Sequence, residues 1–478
     1  MINAGKTATV GLLLIVGATS CRVTGSYHSP AIDTDGLYRA AAAGGGDTAT
    51  IAGLPLASFF TDPVLQQLIA EGLEANFDLR EAQLQIREAE AGWQTARMAG
   101  LPVVGLAGQV THTRTGGGQE EAGPLGRVDN QYRLGATVQW EVDLWGRLAR
   151  LTRAQYAQYL NSHEYRRLIQ TSLVSNIAAS YYTLRALDEQ LRISRETAGL
   201  LEESAASMQA MMDAGLLNAA AVEQSRALLY ATQVSALNLE VSIRKLENSL
   251  SVTIGRRPGA IERPAPDSSL RTPWDTAPLP PHGVPAQMLA RRPDVRAAEL
   301  QLRAAFELHK AAQAALYPSL TLGSGTMAGY GANALTDFFK PQNLLLNLIG
   351  GLTQPVFAGN RLRAQVRITK AQEEEALVNF ERTALTAARE VSDAICTYEK
   401  AQEKIRYRAA QTESLRKSVY YTRELLRAGE ATYLEVLTAQ QNFLAARLAS
   451  VGDRLESAQA AIDLYRALGG GGDNSIIQ

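Results

Sequence analysis

Apolar residues along most of this chain recur at three- and four-residue steps, and in two places the period drops to two. From Asp62 onward Leu65, Leu68, Ile69 and Leu73 share one helical face. A second helix is expected from about Leu79 to Met98, ended by Gly100, Leu101 and Pro102. Strict alternation follows over residues 131–143. Tyr132, Leu134, Ala136, Val138, Trp140 and Val142 interleave with Gln131, Arg133, Gly135, Thr137, Gln139, Glu141 and Asp143, so one strand face is apolar and the other carries charge. A partner strand over roughly 103–113 precedes a loop, 115–130, whose Gly116-Gly117-Gly118 run and Pro124 suit an exposed excursion. In the second half, 319–330 and 344–357 take the corresponding places around a loop with Gly331, Asn333, Phe338 and Phe339.

The landmarks repeat. Asp78-Leu79-Arg80 and Asp294-Val295-Arg296 are 216 residues apart, as are Pro102 and Pro318, while Ala214-Gly215 and Ala428-Gly429 are 214 apart. Landmarks in one order at nearly one offset indicate a duplicated helix-strand-strand-helix unit. The remaining chain reads as long rods, because no proline lies between Pro124 and Pro258 or after Pro355. Residues 147–213 would reach about 100 Å as one helix at 1.5 Å per residue. Gly215 and Gly429 suit left-handed caps where the rods turn back, with Asn218 and Thr432 as N-caps of the returning helices.

The expected class is therefore α+β, with long helical hairpins and four strands per chain in two repeats. Four strands cannot close a barrel, and lipid cannot satisfy open strand edges, so several copies must complete the sheet. A cyclic dimer would supply eight strands and a trimer twelve, of which twelve leave room for water. Export supports a membrane setting. Lys6 precedes an apolar run over 10–16 and the small residues Ala18, Thr19 and Ser20, a signal segment (1–20) too short to span as a mature helix. Cys21 follows directly, as in a lipidation signal; an ordinary secretory signal with an incidental cysteine is the alternative. The Gly- and Ala-rich stretch 21–56 reads as a tether and 469–478 as a flexible tail. Cys396, in a helical run, is expected to be a small buried apolar residue.

A net charge of −1 gives no general attraction for nucleic acid. The five histidines are scattered, and neither HExxH nor GxxxxGK[ST] occurs, so no catalytic residue, cofactor or metal site is assigned.

Several motifs in order resemble the TolC-like outer-membrane factor family, and within it the lipidated efflux subgroup. They are Phe60-Thr61-Asp62-Pro63-Val64-Leu65, the segment Trp140 to Leu148, Arg291-Arg292-Pro293-Asp294, Pro355-Val356-Phe357-Ala358-Gly359-Asn360, and Arg427 to Leu437. The resemblance implies a homotrimer with a twelve-stranded outer-membrane β-barrel continued by a periplasmic helical barrel. Each chain would contribute two repeats, 57–265 and 266–468. It further implies a lipid anchor at Cys21 and docking to a periplasmic adaptor (membrane fusion) protein and an inner-membrane pump, for export of drugs, detergents or metal ions. The channel of a one-step protein secretion system is the alternative.

Under this reading the periplasmic gate or adaptor-docking candidates are Asp213, Gly215, Arg427, Gly429, Glu430, Glu435 and Thr438. Glu435 aligns with an acidic gate position, whereas Thr438 replaces a second acidic residue and Ala221 replaces Glu435 in the first repeat. Thr432 to Glu435 also fits a capping box, so Glu435 has a gate reading and a cap reading. Turn charges such as Asp213, Arg427 and Glu430 are otherwise simply solvated. Tyr420, Tyr421 and Tyr433 are assigned to core packing. Arg133, Gln139, Glu141 and Asp143 are barrel-lumen candidates, and Tyr132, Trp140, Trp145 and Phe357 are membrane-interface aromatics facing outer-membrane lipid.

Overall fold

The computed structural model describes residues 25–31, 56–115, 127–265, 292–323, 326–347 and 349–470. Cys21, the signal segment, most of the tether and residues 471–478 lie outside them. The chain divides into two compact units. One contains the described parts of 1–30, 85–162 and 298–380; the other contains the described parts of 31–84, 163–297 and 381–478.

The element order is α1 (Leu56–Phe59), α2 (Pro63–Ala75), α3 (Phe77–Met98), β1 (Val103–Thr115), β2 (Arg127–Val142), α4 (Arg147–Asp213) and α5 (Ala219–Thr253). It continues with α6 (Pro293–Ala314), β3 (Ser319–Leu322), β4 (Thr326–Ala332), β5 (Leu344–Leu346), β6 (Gly350–Thr353), α7 (Arg361–Arg427) and α8 (Tyr433–Ala467). The duplication is visible in the lengths: α4 and α7 each have 67 residues, α5 and α8 each have 35, and α3 and α6 each have 22. Buried polar residues keep the same offset. Asn76 donates to the carbonyl of Thr253, the last residue of α5, at 2.9 Å, and Arg292 donates to that of Ala467, the last residue of α8, at 2.8 Å. Each side chain thus satisfies a carbonyl that a helix end leaves without an intrahelical partner.

Each second-half strand is divided, so the described residues form six strands where four were expected. Gly323 supplies the physical reason in the first of them. Its φ is +79°, and a Cβ there would lie 2.0 Å from the Val138 carbonyl oxygen, so β3 ends in a bend closed against β2. Beyond this bend β4 pairs with β2 in a register that shifts between Ala136 and Thr137.

In the unit built on α2, α4, α5, α7 and α8, the core forms where aromatic and aliphatic side chains meet. Tyr465 stacks on Phe59 at 4.3 Å and meets Phe60 edge-on at 5.7 Å. Leu65, Ile69, Ile177, Leu184, Ile254 and Ile462 are fully buried. Asp62 begins α2 by accepting from Val64 N at 3.0 Å, and its other oxygen accepts from the Tyr181 hydroxyl at 2.5 Å. Burial, then the bond to Asp62, pushes the Tyr181 phenol far above its ordinary value. Arg292 is held at 2.7 Å by both Asp294 and Glu390; burial opposes its charge, and the two carboxylates more than restore it, leaving its pKa raised.

The long helices form a layer. Arg195 reaches Glu240 from α4 to α5, Arg447 reaches Glu196 from α8 to α4, and Arg408 reaches Asp453 from α7 to α8, at 2.7, 3.0 and 2.7 Å. These ion pairs tie α4 to α5, α8 to α4 and α7 to α8, and α5 also meets α8 through Val222, Tyr433 and Leu437. Cys396 corrects the sequence expectation: it lies on an exposed part of α7.

Candidate functional site: an open-edged sheet and two helix turns

The sheet is a continuous antiparallel surface. β1 pairs with β2 from Val103 opposite Gln139 to Thr115 opposite Arg127. β2 then pairs with β3 and β4, which pair with β6 and β5. Because directly opposed residues share a face, the register joins Val104, Leu106 and Val110 with Val138, Ala136 and Tyr132. Leu134, Tyr330 and Leu344 share that face, as do Trp140 with Leu322 and Val142 with Leu320. The opposite face carries Gln109 against Arg133 and Glu141 against Thr321. The apolar face is uncovered: Leu106 is 87% exposed, and Val104, Val110, Leu346 and Leu352 are also exposed. Within the chain, β1 pairs only with β2, β5 only with β4, and β6 only with β3 among the described residues. Both lateral edges of the sheet are consequently open.

The predicted lumen and interface residues separate at the foot of this sheet. Arg133 and Gln139 are exposed on the polar face. Glu141 accepts two bonds of 2.7 Å from the Arg147 guanidinium. Asp143 lies beyond the end of β2, where its carboxylate accepts from Leu148 N at 3.0 Å and Ala149 N at 2.8 Å, capping α4. Its alternation with the strand residues could not reveal this helix-starting role. Tyr132 and Trp140 occupy the apolar face, with the Trp140 indole donating to the Gly100 carbonyl at 2.9 Å. Trp145 lies outside β2; it stacks on Tyr317 at 5.0 Å and donates to Pro318 O at 2.7 Å. Phe357 also lies outside a strand, because β6 ends at Thr353, and its ring is exposed.

The helix turns are built as their sequences require. Gly215 and Gly429 have φ of +76° and +77°. The amide after each bonds to a carbonyl five residues back, Leu216 to Met211 at 2.8 Å and Glu430 to Leu425 at 2.9 Å. This is a left-handed helix stop. Asn218 then caps α5 through Ala221 N at 3.0 Å, and Glu435 reaches back to accept from Thr432 N at 3.1 Å. Met208, Ala221, Val222, Tyr433 and Leu437 form one buried cluster that packs the two turns together. Burial raises the Tyr433 pKa, with Ser225 opposing.

Glu435 and Thr438 are exposed while Tyr433 and Leu437 are buried, so α8 turns one polar and one apolar side at its first turns. Asp213 accepts from Gln209 at 2.8 Å, Arg427 pairs with Glu424 at 2.8 Å, and Glu430 is exposed. Tyr420 and Tyr421 correct the core assignment: both are exposed on α7 and meet each other edge-on at 5.6 Å.

A second stripe on α5 escaped the sequence reading. Val222, Ser225, Leu229, Thr232, Ala236, Ile243 and Leu250 form its buried side. Tyr230, Val234, Leu237 and Val241, also at four- and three-residue steps, form an exposed apolar seam roughly a third of a turn away. The spacing was readable in the sequence, although which of two apolar stripes meets a neighbour depends on packing.

A sheet with an uncovered apolar face and two open edges, together with paired helical rods, has the features of an outer-membrane channel component. The profile of the outer membrane efflux protein family matches residues 68–256 and 284–470. The chain is 30% identical over 417 residues to the probable outer membrane lipoprotein SilC of Salmonella typhimurium, covering 87% of each. It is 32% identical over 426 residues to a toluene efflux pump outer membrane protein, TtgC of Pseudomonas putida, covering 86% of this chain and 84% of TtgC. Its fold superposes on a crystal structure of CusC, from work on folding and transmembrane channel formation, with TM-score 0.81 and 26% identity, covering 94% of this chain and 100% of that one. The chain belongs to the outer membrane efflux protein family. That membership selects the efflux reading over the protein-secretion alternative.

Proposed function

We propose that three copies of this chain join edge to edge into a twelve-stranded outer-membrane barrel, continued into the periplasm by their helical hairpins. The assembly forms the passive exit duct of a tripartite efflux system. The open-edged sheet with one apolar face carries this reading, since lipid accepts the apolar side while only another copy can pair the edge amides and carbonyls. The dimensions agree. The ten steps from Val142 to Tyr132 on the apolar face rise about 33 Å at about 3.3 Å per residue, or about 25 Å high at a strand tilt near 40°, the height of an outer-membrane apolar band.

Arg133 and Gln139, with the Arg147-paired Glu141, line the lumen in this arrangement; Tyr132 and Trp140 face lipid. Asp213, Arg427 and Glu430 around Gly215 and Gly429 present charge to a periplasmic adaptor protein, and Glu435 and Thr438 border the narrow end. An inner-membrane pump supplies cargo of the small-molecule class, drugs, detergents or metal ions; the name of TtgC specifies toluene for that relative. Lipidation at Cys21 anchors each copy.

Purified protein should run in detergent with the mass of three chains and form ion-conducting pores in planar bilayers. A monomer without conductance would overturn the proposal.

A further inference from the structure

The tip of the second hairpin folds back onto the apolar sheet face. After β4, two short 3-10 turns, Leu335–Asp337 and Pro341–Asn343, reverse the chain. Asn343 secures the reversal: its side chain donates to Asp337 O at 2.7 Å and its amide to Lys340 O at 2.9 Å. The Lys340 ammonium pairs with Asp337 at 2.6 Å. Held this way, Phe339 meets Tyr330 edge-on at 5.6 Å and Phe338 at 5.1 Å. Tyr330 stands opposite Leu134 and Leu344, so the cluster lies on the apolar side. Phe338 is buried as a brace, whereas Phe339 and Leu335 remain 73% and 68% exposed.

The level of this cluster is informative. β4 ends with Ala332 opposite Tyr132, which stands opposite Val110. The next row on the same face is polar: His112 and Asn130, hydrogen-bonded at 2.6 Å. The aromatic hook therefore sits where the apolar rows end, on the side of the sheet remote from the strand ends that lead to α3, α4, α6 and α7. A loop directed into water gains nothing by presenting a phenylalanine and a leucine there. An aromatic ring at the boundary between acyl chains and headgroups gains both apolar burial and position.

We propose that Leu335 and Phe339 are a membrane anchor, inserted among lipid acyl chains just below the headgroups of the outer leaflet and braced by Phe338 and Tyr330. This rests on the lipid-facing reading of the sheet. It gives the second hairpin a role distinct from the first, whose strands continue past this level to Thr115 and Arg127.

The test is a nitroxide label introduced by Phe339→Cys, and separately by Leu106→Cys and Gln109→Cys, in lipidated full-length protein carrying Cys396→Ser. The protein is reconstituted in phosphatidylethanolamine and phosphatidylglycerol vesicles. Labels at 339 and 106 are expected to collide several-fold more with dissolved oxygen than with a water-soluble nickel chelate, and the label at 109 to show the reverse. A nickel-accessible label at 339 beside an oxygen-rich one at 106 would overturn the anchor alone. Nickel accessibility at 106 would remove the lipid-facing reading and the anchor with it.

Discussion

Glu435 shows how one side chain serves two readings that a single substitution can separate. Its carboxylate accepts from Thr432 N at 3.1 Å while remaining exposed. Glutamine also completes a capping box. Glu435→Gln should therefore leave thermal stability within a few tenths of a kcal/mol, while Glu435→Ala removes one capping device and costs more, up to about 1.5 kcal/mol. If the charge borders the pore, the glutamine variant should lower cation preference in bilayer recordings; unchanged selectivity would leave only the cap. Tyr27 offers a second residue-scale test. Its ring meets Phe306 edge-on at 5.6 Å, and its phenol is pushed up to about 12 by burial first and Glu299 next, against Arg303. Because the folded value lies above the ordinary one near 10, its contribution is full below about pH 10 and disappears as pH rises through about 12. A tyrosinate absorbance titration, taken as wild type minus Tyr27→Phe, should show a transition near 12. A transition near 10 would mean that Tyr27 does not pack on α6.

Elements in this chain are stopped by glycines of two kinds, and alanine substitutions distinguish them. A Cβ at Gly429 meets nothing within 4 Å, so Gly429→Ala should cost only the left-handed backbone penalty, about 1–2 kcal/mol by thermal unfolding. A Cβ at Gly323 strikes the Val138 carbonyl, so Gly323→Ala should cost clearly more and weaken pairing of β3 with β2. Equal losses would show that the close approach is not maintained. The same contrast explains what was legible in the sequence. Gly429 follows a helical run and precedes a capping threonine, so its place was visible from local chemistry. Gly323 bends a strand because of a backbone across the sheet, and the division of the second-half strands was consequently hidden. Local period gave the register of β2 and the lengths of the rods. The exposure of Cys396, Tyr420 and Tyr421 depends on which side of α7 meets α8, which no window of sequence contains. Asp143 was placed correctly in the chain, yet its amide partners at the start of α4 changed its task.

At the scale of the molecule, the two seams of α5 argue for neighbours on both sides. One is covered within the chain, whereas Tyr230, Val234, Leu237 and Val241 have no comparable cover. Paired Val234→Asp and Leu237→Asp substitutions should leave monomer helicity intact while shifting native mass in detergent from three chains toward one. Persistence of the larger mass would place the contact between copies elsewhere. The matched lengths of α4 with α7 and α5 with α8 carry a consequence for inheritance. One inserted codon within a rod would rotate everything beyond it by about 100°, turning seam residues toward the wrong neighbour. An insertion of about seven residues nearly restores the facing, but it must be answered in the antiparallel partner and again in the other half. The rods of this gene are thus free to vary in spelling and almost frozen in length.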